Sequence, residues 1–284
     1  MTENNWQKWD LIIKPKKHIF DIHLKDLWRY RDLIALFIRR DFVASYKQTI
    51  LGPLWFIIQP ILTTLMFTVV FGRIAKIPTE GIPSFLFYLT GLTAWNYFAS
   101  CLNSTSNTFV ANASIFGKVY FPRLAIPVSI VVSGLFRFLI QFLLLIILII
   151  FFLFRGTQIN ISWYVLLIPF LLLIIASMGL GFGIIFSSMT TKYRDLSNLL
   201  GFGVQLWMYA TPIIYPLSEI PQKYKLFIIA NPMTPIVETF RFAILGKGSF
   251  DTLYLSYSFV FTIILLAIGI VFFNKVEQSF MDYV

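Results

Sequence analysis

The chain has 284 residues, of which 58% are hydrophobic, 18% aromatic and 13% charged. A soluble domain usually carries about 25% charged residues. Half that share, with a mean hydropathy of +0.78, leaves too little polar surface to clothe a water-soluble globule, and excludes an ordinary soluble enzyme and a disordered chain alike. The formal charge is +10 and unevenly spread: 10 of the 23 Lys and Arg fall in residues 1–52. A basic end beside apolar spans points to anionic lipid or a cytoplasmic partner and not to nucleic acid.

The first 50 residues have charges throughout and no uninterrupted apolar core, so no signal peptide is expected. His18 and His23 lie in this polar segment and read as solvated surface residues. Residues 24–48 read as one amphipathic helix. At 100° per residue Leu24, Leu27, Tyr30, Ile34, Phe37, Ile38 and Phe42 fall on one side, interrupted by Arg31 and Asp41, and Lys25, Arg29, Asp32, Arg39, Arg40 and Lys47 fall on the other. Placed directly before a span, such a helix is expected in the inner interface, basic side toward headgroups; the alternative is a soluble helix packed on another domain.

A helical span needs about 20 mostly apolar residues. Six segments qualify: 53–72, 85–102, 125–154, 163–188, 197–215 and 254–273. The expected fold is therefore an all-α membrane protein of six transmembrane helices with an N-terminal interfacial helix. Its parts are a cytoplasmic N-terminal segment 1–52, a six-span domain 53–274 and a cytoplasmic tail 275–284. Arg29, Arg31, Arg39, Arg40 and Lys47 precede span one, whereas the loop 73–84 holds only Arg73 and Lys76. The positive-inside rule places the N-terminus in the cytoplasm, and an even span count places the C-terminus with it.

Two connections differ from ordinary loops. Residues 103–118 are small, polar and rich in helix-start residues. A short cytoplasmic helix there would expose Phe109, Val110, Ile115 and Phe116 after Asn107, a surface for docking another protein; the alternative is a loop folded back on its neighbours. Residues 211–248 hold Pro212, Pro216, Pro221, Pro232 and Pro235 between apolar pieces too short to span. These suggest re-entrant or interfacial helices on the outer side, tolerated only where protein covers them or a cavity lies beside them.

Recognisable catalytic chemistry is missing from the sequence. It contains no GxxxxGK[ST], HExxH or GxSxG, and Asp195, Glu219, Glu238 and Asp251 stand alone in their loops. The single Cys101 excludes an internal disulfide or a Cys-based metal cluster. Arg137 is the one charged residue well inside a span. It either faces a cavity and attracts a phosphate, or donates to neighbouring carbonyls. Gln59, Asn96, Gln141 and Gln205 are polar span residues of the kind that more often join helices than meet ligands. Trp55, Phe56, Tyr88, Trp95, Trp207 and Tyr209 supply aromatic faces near these amides, as a sugar-conducting passage would need: rings stack on CH groups while amides meet hydroxyls.

Several strings carry a family resemblance. They are Arg39-Arg40-Asp41-Phe42, Tyr46-Lys47-Gln48-Thr49-Ile50-Leu51-Gly52-Pro53-Leu54-Trp55 with Gln59-Pro60, Phe116-Gly117-Lys118-Val119-Tyr120-Phe121-Pro122-Arg123, Thr191-Lys192-Tyr193-Arg194-Asp195, Met208 to Pro216, and Asn231-Pro232-Met233-Thr234-Pro235. In this order they resemble the permease subunits of ABC-2 type exporters, and more closely the polysaccharide, O-antigen and teichoic acid export permeases. The resemblance implies a homodimer of six-span subunits above two separate ATPase chains, which hold the ATP and Mg²⁺; this chain would need no cofactor or metal. It implies a coupling helix between spans two and three, here Asn107, Phe109, Val110, Ile115 and Phe116, and short re-entrant helices before span six. It also implies a polyprenyl-diphosphate-linked glycan as cargo, moved outward across the cytoplasmic membrane. The expected passage residues are Trp55, Phe56, Gln59, Tyr88, Trp95, Gln205, Trp207 and Tyr209. Capsule, teichoic acid, drug or lipid cargo, or a membrane enzyme of glycan assembly, are the alternatives.

Overall fold

The computed structural model describes residues 24–279 except Gln48, Gly117, Tyr120 and Arg194. His18, His23, the rest of the 1–23 extension and the tail beyond residue 279 lie outside the described residues. Within them every regular element is helical.

The amphipathic segment forms two helices, α1 (Leu24–Arg29) and α2 (Arg31–Tyr46), broken at Tyr30. The apolar side of α2 lies against the first half of α7 (Ala125–Phe154). Phe37 meets Phe121 at 5.7 Å between ring centroids and Phe42 meets Phe136 at 5.5 Å. Arg31, Asp32 and Arg39 stay exposed, as charged groups must when nothing compensates their desolvation.

Four helical segments are long and apolar enough to cross a membrane: Gly52–Ile74, Ala125–Phe154, Trp163–Thr190 and Thr252–Val276. The first begins with the turn Gly52–Leu54, where Pro53 occupies a helix start. It continues as α3 (Trp55–Phe67) and ends in a π-helical stretch, Thr68–Ile74. The third comprises the turn Trp163–Leu167 and α8 (Ile168–Thr190), and the last belongs to α12 (Thr252–Ser279).

The centre of the molecule is α4 (Ser84–Ser106), buried along most of its length and flanked by α3, α7 and α8. This explains its weaker apolar signal. A helix surrounded by other helices needs no lipid-facing surface, so Thr90 and Thr93 are accommodated by donating to the carbonyls of Leu86 and Leu89. The small-residue run on α8 makes the packing possible. A Cβ on Gly179 would stand 2.6 Å from Cys101 Cβ, and one on Gly183 would stand 2.5 Å from Thr105 Cβ. Two glycines four apart let the backbones of α4 and α8 approach closely.

The remaining segment departs from a simple span. α9 (Leu196–Tyr209) has 14 residues, about 21 Å at 1.5 Å per residue, which is short for a hydrocarbon core of about 30 Å. Residues 210–215 turn instead of continuing the helix, and Pro212 has no N–H to extend it. Two short helices follow, α10 (Gln222–Ala230) and α11 (Met233–Leu245), before α12. α11 is buried over almost its whole length and ends at Gly246, whose φ of 68° suits a residue without a Cβ.

Candidate functional site

A cavity of about 260 Å³ opens between α3, α4 and α7. α3 contributes Trp55, Phe56, Gln59, Pro60 and Thr63. α4 contributes Asn96, Tyr97 and Ser100, and α7 contributes Gly134, Arg137, Phe138 and Gln141. α3 supplies residues from its first two-thirds, α7 residues 134–141 around its middle and the antiparallel α4 residues just past its middle, so the cavity lies near mid-bundle, beside the stretch of α7 that α2 packs against.

The cavity has aromatic walls and unengaged polar groups. Arg137 sits with its guanidinium carbon 5.5 Å from the centre of the Phe56 ring, and its Nε is buried without a hydrogen-bond partner. The alternative of a structural donor to nearby carbonyls is therefore not what the structure shows. Among the described residues the side-chain amides of Gln59, Asn96 and Gln141 also make no hydrogen bond to protein, so none of them acts as glue between helices. Pro60 has no N–H for the Phe56 carbonyl four residues back.

The expected passage residues fall into three groups. Trp55, Phe56 and Gln59 line the cavity. Gln205 and Tyr209 lie on the outward face of α9 with Leu199, Phe202 and Leu206. Tyr88, Trp95 and Trp207 belong to the interior: Tyr88 and Trp95 are buried, while Trp207 is half-buried. The Trp207 ring stands edge-on to Phe98 and Phe182, both at 5.2 Å, and to Trp95 at 6.2 Å. Its indole N–H donates to Asn231 Oδ1 at 3.0 Å, and Asn231 Nδ2 donates to Thr211 Oγ1 at 2.8 Å. Trp207 thereby ties α9 to the turn before α11.

The connection after α4 forms two four-residue helices, α5 (Thr108–Ala111) and α6 (Ala113–Phe116). The expectation that its large apolar residues are exposed is corrected in part. Phe109 is 0% exposed and stacks on Phe273 of α12 at 4.6 Å. Phe116 is buried and stacks on Phe121 at 5.7 Å. Rings of this size recover more by joining the apolar cluster of Phe37, Ile126, Ile184 and Phe273 than by facing water. Asn107 and Val110 remain exposed and Ile115 half-exposed. This connection is also tied to α2, where Arg40 Nη2 donates to Asn112 Oδ1 at 3.4 Å.

A buried ion pair escaped the sequence reading, which left Glu238 alone. Arg241 and Glu238, one turn apart on α11, are 0% and 1% exposed. Arg241 donates to Glu238 Oε1 and to the Pro212 carbonyl, both at 2.7 Å, and lies 3.9 Å from the centre of the Phe87 ring. Glu238 Oε2 accepts from the backbone N–H of Ser249 at 3.1 Å. The pair joins α11 to α4, to the Pro212 turn and to the strand of chain before α12. The i, i+3 spacing in an apolar helix was the available signal.

The fold and these features define a helical membrane protein with several apolar helices long enough to span and a polar cavity among them. The chain belongs to the ABC-2 type transporter family, whose model matches residues 32–245. It is 32% identical over 254 residues to an O-antigen export system permease protein RfbA of Klebsiella pneumoniae, an alignment covering 88% of this chain and 94% of that relative. It is 27% identical over 223 residues to RfbA of Myxococcus xanthus, covering 77% and 82%. It is also 27% identical over 248 residues to the polysialic acid transport protein KpsM of Escherichia coli, covering 87% and 94%.

Proposed function

We propose that this chain is the permease subunit of an ABC exporter that moves a lipid-linked polysaccharide outward across the cytoplasmic membrane. The names of its relatives share a surface glycan as cargo, O-antigen in two and polysialic acid in another. The observation that carries the reading to this chain is the pairing of aromatic rings with free amides: Trp55 and Phe56 beside Gln59 on α3, and Tyr209 beside Gln205 on α9. Aromatic faces stack on the CH groups of a sugar chain and amides meet its hydroxyls, whatever charges the chain carries.

The membrane arrangement follows from this reading. α4, 23 residues long and about 34 Å at 1.5 Å per residue, is the second crossing. α9 with the buried turn at 210–217 is the fifth, and α10 and α11 are re-entrant helices on the outer side. Both termini face the cytoplasm. Two copies of the chain meet along the exposed apolar faces of α3 (Leu62, Leu65, Met66) and α9 (Leu199, Phe202, Leu206), and the passage runs between them. Apolar faces of this kind fit either lipid or a second copy, and the aromatic–amide pairs at their borders favour the second copy.

ATP and Mg²⁺ belong to a separate ATPase subunit, two per assembly, which docks on α5 and α6 through Val110, Ile115 and Asn107. Phe109 and Phe116 hold that surface to α12 and α7. Closure of the ATPase pair tilts the connection, α2 follows through Arg40 and Asn112, and the passage opens. Hydrolysis resets it.

The test is export of surface glycan in a strain lacking its own permease and supplied with this chain and its ATPase. Restored surface glycan is the expected result. Turnover of a lipid-linked sugar by the purified chain alone would instead make it an enzyme of glycan assembly.

A further inference from the structure

We propose that the cavity around Arg137 receives the diphosphate and first sugar of the lipid-linked glycan, an inference that rests on the export reading above. An arginine among membrane spans is costly unless it is paired or meets water or a ligand. Among the described residues Arg137 makes no ion pair or protein hydrogen bond. Asp41 acts on it from beyond ion-pair distance: Asp41 Oδ1 is held by Arg40 at 2.8 Å, and Asp41 Oδ2 is buried without a hydrogen-bond partner of its own. The guanidinium thus keeps its fork of donors for a ligand, and that fork matches the oxygens of a phosphate.

The surroundings decide what accompanies the phosphate. Three amides, Gln59, Asn96 and Gln141, face the same cavity with free donors and acceptors. Amides of this kind suit the hydroxyls of a sugar, and the Trp55 and Phe56 rings offer faces for its CH groups. A phosphatidylglycerol headgroup would satisfy Arg137 and reach the amides with two hydroxyls, but it has no sugar ring to lay against Trp55 and Phe56. The position also fits. Phe42 of the interfacial α2 contacts both Phe56 and Phe136, at 6.3 and 5.5 Å, so Arg137, next in sequence to Phe136, lies at the depth of the helix that marks the inner interface. A diphosphate whose isoprenyl tail lies in the inner leaflet arrives at that depth.

The experiment uses the full chain with its ATPase partner in nanodiscs of phosphatidylcholine. Binding of farnesyl diphosphate with and without an N-acetylglucosamine on its terminal phosphate, farnesol, inorganic diphosphate and phosphatidylglycerol is measured by native mass spectrometry, for wild type, Arg137→Gln and Arg137→Lys. Glycan export is scored separately in cells. Wild type is expected to prefer the sugar-bearing diphosphate to bare farnesyl diphosphate, and farnesyl diphosphate to farnesol, inorganic diphosphate and phosphatidylglycerol; no gain from the sugar overturns the sugar part of the proposal. Arg137→Gln should weaken farnesyl diphosphate binding about tenfold or more, the scale of a charge-assisted hydrogen bond, and Arg137→Lys should keep part of it. Equal binding by wild type and Arg137→Gln overturns the proposal, as does phosphatidylglycerol or inorganic diphosphate binding as well as farnesyl diphosphate. Arginine-dependent binding by a wild-type chain that restores no export would uphold the site while refuting the export reading.

Discussion

Arg40 of α2 donates to the side chain of Asn112, 72 positions further along, across 3.4 Å. The same guanidinium holds Asp41 at 2.8 Å and covers the Phe37 ring at 4.8 Å. α2 is thereby joined to the connection between α4 and α7. Movement imposed on the connection between α4 and α7 therefore reaches α2. Asn112→Ala removes the acceptor, and with it the donation from Asn112 Nδ2 to the Thr108 carbonyl at 3.0 Å, while leaving the Phe109 and Phe116 side chains in place. The expected outcome is weaker glycan export at unchanged assembly with the ATPase, measured as surface glycan per complex.

Within the connection between α4 and α7, buried and exposed positions should behave differently. Phe109→Ala empties a ring-sized space against Phe273 and should cost about 3–5 kcal/mol, the usual range for a buried Phe. Thermal unfolding in detergent measures the loss. Val110→Glu alters an exposed side chain, so stability should hold while stimulation of the ATPase falls. Wild-type stimulation in Val110→Glu would place the docking surface elsewhere.

The Glu238–Arg241 pair predicts a strong asymmetry between single and double substitutions. Arg241→Met leaves the Glu238 carboxylate buried and the Pro212 carbonyl unsatisfied, and should destabilise by about 3–5 kcal/mol. Arg241→Met with Glu238→Gln removes both charges and should recover part of that loss. The check is a double-mutant cycle on melting temperature in detergent.

Close approach of α4 and α8 makes Gly183 intolerant of any side chain. The Cβ of alanine would stand 2.5 Å from Thr105 Cβ, and Thr105 is buried with no room to rotate away. Gly183→Ala should destabilise by about 1–3 kcal/mol, as overpacking does. At Gly203, where a Cβ meets nothing within 4 Å, alanine should be neutral or slightly stabilising for α9. Parallel melting curves of the two variants settle the contrast.

The two tryptophans expected along the passage should respond differently. Trp55→Ala trims a ring beside the cavity on a half-open face and should slow export of long chains with the fold intact; weak stacking is worth about 1 kcal/mol per ring. Trp207→Ala breaks the hydrogen bond to Asn231 and the packing on Phe98 and Phe182, so protein stability should fall along with export. Chain-length distribution of the surface glycan and melting temperature separate the two effects.

Apolar spans of Gly52–Ile74, Ala125–Phe154, Trp163–Thr190 and Thr252–Val276 were legible in the sequence because lipid-facing helices must be apolar on most sides, whatever they pack against. The helical character of the segment before the first span was legible from its 3.6-residue period, though not its break at Tyr30, and the family was legible from motifs that follow one another along the chain. α4 gave a weaker signal because its neighbours relieve it of facing lipid. Other features depend on residues distant in the chain and were settled by tertiary packing alone. Phe109 turns inward because Phe273, 164 positions later, completes an apolar cluster that no local pattern reveals. Glu238 is paired and buried because the Pro212 turn folds over α11. Arg137 lacks a partner because the helices around it bring amides and rings to its cavity but no acid within ion-pair distance. Local sequence dictates which surfaces can enter a membrane; which polar groups are satisfied there depends on what the rest of the chain brings to them.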